Sequence, residues 1–289
     1  GEVLVFASDD LTTWRLQNRI QSSERFGFMW ECPDYFELAG LQVLSFSPQG
    51  LLGGDWEHRN VYQSGYVPVA GDICGRYELG TFHLWDAGFD FYAPQTFEAE
   101  DGRRILMGWM GMPDDATYGN DPTLAEGWQH CFTVPRELTA GKEGVVLQRP
   151  VREVASLRGQ AHEAVGELHL DTMPAACDIV LEDVGDEIHV VLGEELELFA
   201  DSDSDEGCTR FVMRFRDAGR DAAGCGRAER WERVGAVRSV RMLVDTSSVE
   251  VFVNDGELVM STRWYPQCRS CAIMVPGARI ACWELNANA

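Results

Sequence analysis

Basic side chains are scarce in this chain of 289 residues. It has 24 lysines and arginines against 47 aspartates and glutamates, which gives a formal net charge of -23. A surface of that sign repels phosphate backbones and anionic lipid headgroups. The composition therefore argues against nucleic acid and membrane surfaces as partners. It is compatible with a small neutral ligand such as a sugar, and the acidic excess can also serve solubility alone.

Long hydrophobic runs are missing as well. No apolar stretch approaches the roughly 20 residues that a membrane-spanning helix needs. An apolar fraction of 45% and a charged fraction of 25% are ordinary for a folded globular protein. The first ten residues, GEVLVFASDD, begin inside an expected strand without an initiator methionine or a charged leader. We therefore expect a chain that is cut at its N-terminus.

The cysteines do not show the spacing of a disulfide framework. The nine cysteines are an odd number scattered along the chain, which favours reduced thiols and a cytoplasmic location over a disulfide-stapled secreted domain. The only close pair, Cys268 and Cys271, has no second pair and no histidine nearby, so a zinc site would lack half of its ligands. We predict neither a metal site nor a cofactor.

Helical periodicity is nearly absent, and short apolar runs separated by turns dominate. An Asp-Gly turn in residues 101–104 joins two such runs and predicts a hairpin. A second hairpin is predicted where apolar and polar residues alternate on both sides of residues 254–256. The best helical candidate is residues 150–159, which Pro150 can open and Gly159 can close.

This helical candidate separates two styles of sequence. Most tryptophans and the long loops with glycine and proline precede it, and evenly spaced strands in an acidic background follow it. We predict an all-β protein with one domain at residues 1–150, a linker helix at 151–159 and a second domain at 160–289. Aromatic-rich strands suit the blades of a β-propeller in the first part, and the second part suits a β-sandwich.

The segment FMWECPDYF, residues 28–36, contains an acid inside an aromatic run. Glu31 lies between Trp30 and Cys32, where partial loss of water favours a protonated carboxyl, as a general acid requires. Pro33 cannot donate to a sheet ladder, so Glu31 is expected at a free strand edge or in a cleft. The residues are also compatible with a glutamate at a strand end that points to water, with Trp30 packed beneath it.

Two further segments combine polar groups with aromatic rings. In LWDAGFDFYAPQTF, residues 84–97, the polar side chains are Asp86, Asp90, Tyr92 and Gln95. Such groups beside flat rings suit a sugar, which offers hydroxyls at its rim and apolar C–H patches on its faces. A buried strand with a satisfied aspartate is the alternative. In GWM, residues 108–110, the tryptophan can stack on a sugar or fill a core.

These three segments, in this order, resemble glycoside hydrolase family 32, which comprises invertases, sucrose-6-phosphate hydrolases and fructan hydrolases. Further matching segments are residues 6–14, 127–138, 148–158 and 245–257. The resemblance spans essentially the whole chain. It implies a five-bladed β-propeller followed by a β-sandwich, with the active site in the propeller funnel.

The resemblance also implies roles for individual residues. Glu31 is expected to be the general acid/base, with Cys32 as the neighbour that tunes it. Tyr92 and Trp109 are expected to line the fructosyl site, and Asp90 to contact sugar hydroxyls. His58, Arg59 and Arg136 lie in or near matching segments without an implied role.

One part of the family pattern is absent from these 289 residues. Retaining glycosidases need two carboxylates about 5 Å apart. The family takes its nucleophile from a WMNDPNG-like box and holds the fructosyl hydroxyls with an RDP motif, and neither occurs here; Asp121-Pro122 has the wrong order and flanks and is expected in a loop. Because the family places both motifs before the match at residues 6–14, we expect the first two blades and part of the third to be missing, leaving exposed strand edges.

Two functions follow as hypotheses. The first is a retaining β-fructofuranosidase that releases fructose from sucrose, sucrose 6-phosphate or β-fructans, whose nucleophile lies outside this chain. The second is a non-catalytic β-fructoside-binding protein or a degenerate fragment, because this chain by itself is expected to be inactive. The residues leave open the choice among these substrates, hydrolysis or transfer, and the oligomeric state.

Overall fold

The computed structural model describes residues 1–54, 57–114, 119–185, 187–202 and 208–286. Strands make up 52% of the structure and helices 5%, so the predicted all-β class is confirmed. Within the described part of the chain, no helix combines the length and apolar character that crossing a membrane requires.

Three sheets form the described part of residues 1–150. Their strands are β1 (Val3–Ala7), β2 (Arg15–Ile20), β3 (Met29–Leu38), β4 (Leu41–Gln49), β5 (Gly65–Gly71), β6 (Tyr77–Leu79), β7 (His83–Leu84), β8 (Tyr92–Glu98), β9 (Arg104–Trp109), β10 (Arg136–Ala140) and β11 (Val146–Pro150). Strands β1 and β2 pair with each other, β3 to β6 form a second sheet in sequence order with β7 added to β5, and β8 to β11 form a third. Each sheet is antiparallel and joins strands that are consecutive or nearly so in the chain.

Tight turns explain why neighbouring strands pair. Ala39 and Gly40 link β3 to β4 with φ angles of 50° and 87°, a conformation that suits the right-handed twist of a hairpin. Gly102, with φ 81°, lies in the turn between β8 and β9, which confirms the first predicted hairpin. Small antiparallel sheets of this kind are compatible with propeller blades, and the number of blades stays a prediction.

The remaining strands form one ten-stranded sheet. They are β12 (Arg158–Leu170), β13 (Cys177–Glu182), β14 (Ile188–Leu192), β15 (Leu196–Ser202), β16 (Thr209–Phe215), β17 (Glu229–Val234), β18 (Ser239–Val244), β19 (Ser248–Val253), β20 (Leu258–Arg263) and β21 (Cys271–Leu285). The long strand β21 pairs with β14 near its start and with β13 near its end. The sheet is therefore nearly closed, like a barrel, and the predicted division into a two-sheet sandwich stays a prediction.

The main core lies inside this nearly closed sheet. In β13 the side chains of Cys177, Ile179 and Leu181 are all fully buried and alternate along the strand, as a period of two requires. Burying one large apolar side chain contributes about 1.5 to 3 kcal/mol. The alternating residues of the C-terminal strands therefore supply much of the stability that holds this part together.

The second predicted hairpin is confirmed. Strands β19 and β20 pair in register around residues 254–256, all of which have positive φ. At Gly256 an added Cβ would lie 1.6 Å from the backbone oxygen of Gln148 in β11. The glycine is therefore required both for the turn and for the close approach of the hairpin to the N-terminal part.

Two local predictions need correction. The linker predicted as a helix over 151–159 is a 3-10 helix at Arg152–Leu157, and Gly159 lies in β12 instead of closing the helix. Arg158 is already extended, because β12 begins there by pairing with β21. Conversely, Asp121 and Pro122 start a short helix, α1 (Asp121–Ala125), with proline in its first turn, where its missing N–H costs nothing. The domain boundary stays a prediction.

Buried ion pairs join the N-terminal sheets to the C-terminal sheet. The Arg136 side chain on β10 is fully buried, and its guanidinium lies 3.0 Å from Asp86 and 2.7 Å from Glu250 on β19. It also donates to Ser261 on β20 at 2.7 Å. Burial raises the pKa of Asp86 and Glu250, while the arginine charge acts in the opposite direction.

Candidate active site

The site is built on two β-bulges in different sheets. In β3, Glu31 pairs with Ser47 and Asp34 pairs with Ser45, so β3 carries one extra residue. In β8 the same irregularity lies between Tyr92 and Gln95, opposite Trp109 and Met107. A bulge of this kind redirects side chains and is frequent near active sites.

Each bulge contains a strained residue followed by proline. Cys32 precedes Pro33 with φ 49°, and Ala93 precedes Pro94 with φ 48°. Residues other than glycine rarely adopt positive φ, and such a conformation costs on the order of 1 to 3 kcal/mol unless contacts impose it. Because proline has no N–H for the ladder, the motifs ECPD and YAPQT favour a local break in pairing at both places.

The bulges bring the Glu31 carboxylate next to Tyr92. The Tyr92 hydroxyl donates to Glu31 Oε2 at 2.9 Å, and the side-chain amide of Gln49 donates to the same oxygen at 2.8 Å. Gln49 Nε2 also lies 3.3 Å from the Tyr92 hydroxyl. Burial, together with the hydrogen bond to Glu31, raises the pKa of Tyr92, so the phenol stays protonated and remains a donor.

Aromatic rings surround Tyr92, which donates to this carboxylate. The Trp109 ring meets Tyr92 edge to face at 6.5 Å and His130 at 5.0 Å. The Tyr62 ring lies 6.0 Å from Tyr92 and 6.5 Å from Phe28. Phe28 is 59% exposed, so the group contains an open apolar surface beside a hydrogen-bonded acid.

The expected neighbour of the acid, Cys32, lies at the bulge itself. Its backbone oxygen accepts a hydrogen bond from the Gln95 side chain at 3.2 Å. Burial and the charge of Glu31 raise the pKa of the Cys32 thiol. The side chain is therefore a neutral thiol beside the carboxylate, without a nucleophilic thiolate.

Asp90 makes its contacts away from the Glu31 carboxylate, and its contact with sugar hydroxyls stays a prediction. The residue is fully buried, and its carboxylate lies 2.9 Å from Arg227 and 2.7 Å from the backbone N–H of Arg263. Asp86, another polar candidate, is held by Arg136 in the junction described above. Both aspartates are therefore buried and hydrogen-bonded within the protein, which is the alternative that the sequence left open.

Two members of the site were not recognised from the sequence. Gln49 ends β4, the strand that pairs with the Glu31 segment, and Tyr62 donates to Asp114 at 3.1 Å. The signal for Gln49 was the hairpin pairing, which places the end of β4 opposite the start of β3. Tyr62 lies outside the named strands, and its proximity to Tyr92 depends on the packing of two sheets.

The other residues that were named from the sequence lie outside this site. The ring of His58 lies 6.4 Å from Phe82, the backbone oxygen of Arg59 accepts from Arg230, and Asp121 is exposed at the start of α1. None of the nine cysteines, all of which lie in the described ranges, forms a disulfide. The described residues contain no group of three or more histidine, cysteine or acidic side chains placed to hold a metal ion.

This arrangement can support proton transfer to or from a bound sugar. Glu31 is half-buried, it is fixed by two hydrogen-bond donors, and it lies beside aromatic rings that can face apolar C–H groups. A positioned carboxyl is an efficient general acid or base when it lies within hydrogen-bond reach of the reacting oxygen.

Comparisons with known proteins point to one family. The family model "Glycosyl hydrolases family 32 N-terminal domain" matches residues 1–150, and "Glycosyl hydrolases family 32 C terminal" matches residues 211–276. The sucrose-6-phosphate hydrolase of Bacillus subtilis (strain 168) is 38% identical over 280 residues, which cover 92% of this chain and 56% of that protein. The raffinose invertase of Escherichia coli is 36% identical over 282 residues, which cover 93% of this chain and 57% of that protein.

Solved structures agree with these matches. The β-fructofuranosidase of Bombyx mori is 26% identical with a TM-score of 0.79, over 99% of this chain and 61% of that chain. The sucrose-6-phosphate hydrolase of Lactobacillus gasseri, at 24% identity, shares the fold with a TM-score of 0.85 over 98% of this chain and 60% of that chain.

The chain spans slightly more than half the length of the two curated relatives from Bacillus subtilis and Escherichia coli. With a family model matched over its first 150 residues and a second over its C-terminal part, the chain belongs to glycoside hydrolase family 32.

Proposed function

We propose that the complete gene product is a retaining β-fructofuranosidase that releases fructose from sucrose, sucrose 6-phosphate or β-fructans, with Glu31 as its general acid/base. The observation that carries the proposal is the Glu31 carboxylate held by Tyr92 and Gln49 at 2.9 and 2.8 Å. The names of the relatives, which include sucrose-6-phosphate hydrolases and a raffinose invertase, support the same reaction class.

In the proposed reaction, a carboxylate attacks the anomeric carbon of the fructosyl unit while protonated Glu31 donates its proton to the departing glycosyl oxygen. A fructosyl-enzyme ester forms and the glycosidic C–O bond breaks. Glu31 then removes a proton from water, whose oxygen attacks the same anomeric carbon; the bond from that carbon to the carboxylate oxygen breaks, which releases fructose and the free carboxylate. Residues 1–289 do not contain the WMNDPNG-like box that carries the family's nucleophile, so the proposal assigns the nucleophile to no residue of this chain.

The other residues of the site bind and orient in this proposal. Tyr92 and Gln49 hold the Glu31 carboxylate toward the glycosidic oxygen. Trp109 presents an aromatic edge and face to the C–H groups of the fructosyl unit, and the exposed Phe28 offers a surface to the departing sugar. The lack of disulfides among the described cysteines supports a cytoplasmic location for the protein.

Replacement of the acid tests this function. For the complete gene product, the Glu31→Gln variant should lose at least a hundredfold of sucrose hydrolysis, since general acid–base catalysis contributes about 10² to 10⁴ in rate. Glu37→Gln is the matched control, because Glu37 is an exposed carboxylate on the same strand. Equal rates for wild type and Glu31→Gln would refute the assignment.

A second candidate function is non-catalytic binding of β-fructosides by residues 1–289 alone. The absence of the WMNDPNG-like nucleophile box and of the RDP motif from the sequence favours it, while Tyr92 and Gln49 of the same chain hold the Glu31 carboxylate. Titration of this chain with fructose and with sucrose in a calorimeter should then show binding that Trp109→Ala weakens. Hydrolysis of sucrose by the same preparation would exclude this candidate.

A further inference from the structure

Asp34 connects the two bulges of the site. It follows the β3 bulge three positions after Glu31, and its side chain reaches across to β8. One carboxylate oxygen, Oδ2, accepts the backbone N–H of Thr96 at 2.8 Å and the Thr96 hydroxyl at 2.6 Å. Both donors therefore converge on one oxygen atom from the strand that carries Tyr92.

A second contact runs between the same bulges. The side-chain amide of Gln95 donates to the backbone oxygen of Cys32 at 3.2 Å. Cys32 is the residue with positive φ in the β3 bulge, and Ala93 is its counterpart in the β8 bulge. The contacts made by Asp34 and Gln95 thus lie directly after the two strained residues and tie the bulges to each other.

These side-chain contacts matter because β3 and β8 belong to different sheets. Strand β3 pairs with β4, and β8 pairs with β9, so each bulge is positioned by its own ladder. The 2.9 Å contact between Glu31 and Tyr92 spans the gap between these ladders. The geometry of this contact depends on the hydrogen bonds that hold β3 and β8 together, and the Asp34 carboxylate accepts two of them.

We infer that Asp34 is a positioning residue for the acid/base: by anchoring Thr96, it holds the β8 bulge so that the Tyr92 hydroxyl meets the Glu31 carboxylate. The inference rests on the proposed function. Both hydrogen-bond donors to the Asp34 carboxylate belong to Thr96, so Asp34 acts on the reaction through Thr96 and Tyr92. A carboxylate suits this task because hydrogen bonds to an ionised acceptor are shorter and stronger than neutral ones.

A leaving-group comparison tests this inference on the complete gene product. Sucrose needs protonation of its departing oxygen, whereas p-nitrophenyl β-fructofuranoside releases a stable phenolate that needs little help from an acid. Asp34→Asn should therefore lower kcat/KM for sucrose at least tenfold and for the aryl fructoside less than threefold. General damage to the fold would lower both values by the same factor.

Thr96→Val provides the second variant, because it removes the hydroxyl donor while keeping the backbone N–H and the shape of the side chain. It should reproduce the selective loss on sucrose with a smaller amplitude. Thr139→Val is its control, since the Thr139 hydroxyl on β10 has no hydrogen-bond partner among the described residues; this variant should leave both substrates unaffected. Thermal unfolding of each variant establishes that it is folded.

The outcomes separate the inference from the function on which it rests. Glu31→Gln, assayed beside the others, should show the largest preference for the aryl substrate. If Glu31→Gln shows this preference and Asp34→Asn loses both activities equally or neither, the positioning role of Asp34 is wrong. If wild type cleaves neither fructoside, or Glu31→Gln is as active as wild type, the proposed function fails and the inference fails with it.

Discussion

Replacement of Arg136 by methionine is the most informative test of the junction between the two parts of the protein. The guanidinium is fully buried and contacts two carboxylates, Asp86 and Glu250, which are themselves buried. It also donates to Ser261 Oγ at 2.7 Å and to Gln148 Oε1 at 3.2 Å. Methionine fills much of the volume but leaves both acids without their cation.

The expected loss follows from these contacts. Breaking a buried ion pair by removing one partner costs about 3 to 5 kcal/mol, because an uncompensated charge stays buried. Two carboxylates share Arg136, so we expect the Arg136→Met variant to lose at least the lower of these values in free energy of unfolding. Urea-induced unfolding followed by tryptophan fluorescence measures that loss.

The matched control is Arg152→Met. The Arg152 side chain is 70% exposed and pairs with Asp101 at 2.8 Å, and an exposed pair contributes about 0 to 1 kcal/mol. If the two variants unfold at the same urea concentration, the buried network does not stabilise the junction and the reasoning is refuted.

The pH dependence of the Arg136→Met variant checks the cause of the loss. Burial raises the pKa of Asp86 and Glu250, and without the arginine charge only hydrogen bonds, such as those from Ser261 and the Val134 N–H, oppose that direction. A carboxyl whose pKa is higher in the folded state contributes stability at acidic pH, and this stability is lost as the pH rises through that value. The deficit of the variant should therefore be larger at pH 8 than at pH 5.

Three further predictions concern single side chains. Gly88→Ala should lower the thermal midpoint by several degrees, because an added Cβ would lie 2.2 Å from the backbone N and O of Ser261; an unchanged midpoint would mean that this contact relaxes freely. Tyr92→Phe should reduce sucrose hydrolysis by the complete gene product about tenfold through loss of one charge-assisted hydrogen bond to Glu31, and activity equal to wild type would contradict the role of the phenol. Burial raises the pKa of Glu232 to about 7, so Glu232→Gln should stabilise the protein relative to wild type above pH 7 and have little effect near pH 4; melting curves that differ equally at both pH values would contradict this.

Local sequence patterns predicted much of the fold and part of the site. Alternation and an Asp-Gly turn predicted the β8–β9 hairpin, and the same signals predicted the β19–β20 hairpin; both are confirmed. Glu31, Tyr92 and Trp109 were selected from separate segments, and the structure brings them together. Each segment combines polar and aromatic residues, a local property that suits a sugar but left a structural role open, and the resemblance to glycoside hydrolase family 32 supplied the expected roles.

Contacts between residues far apart in the chain could not be predicted from such local patterns. Asp90 was expected at the sugar site, but it is bound by Arg227, which lies 137 positions further along the chain. Nothing near Asp90 in the sequence distinguishes an aspartate that faces a ligand from one that faces an arginine of another sheet. The same limit explains why Gln49 and Tyr62 were overlooked, since their proximity to Tyr92 arises only when separate sheets pack.

The sequence by itself determined the all-β class and the positions of the hairpins, because strand alternation and turn residues act over a few neighbouring positions. The role predicted for Glu31 came from the resemblance of whole segments to a family. Tertiary structure alone decided which ionisable groups became buried ion pairs and which remained beside the site. The physical reason is that burial and partner choice depend on where sheets meet, and at that meeting Asp34 and Thr96 join strands that no ladder connects.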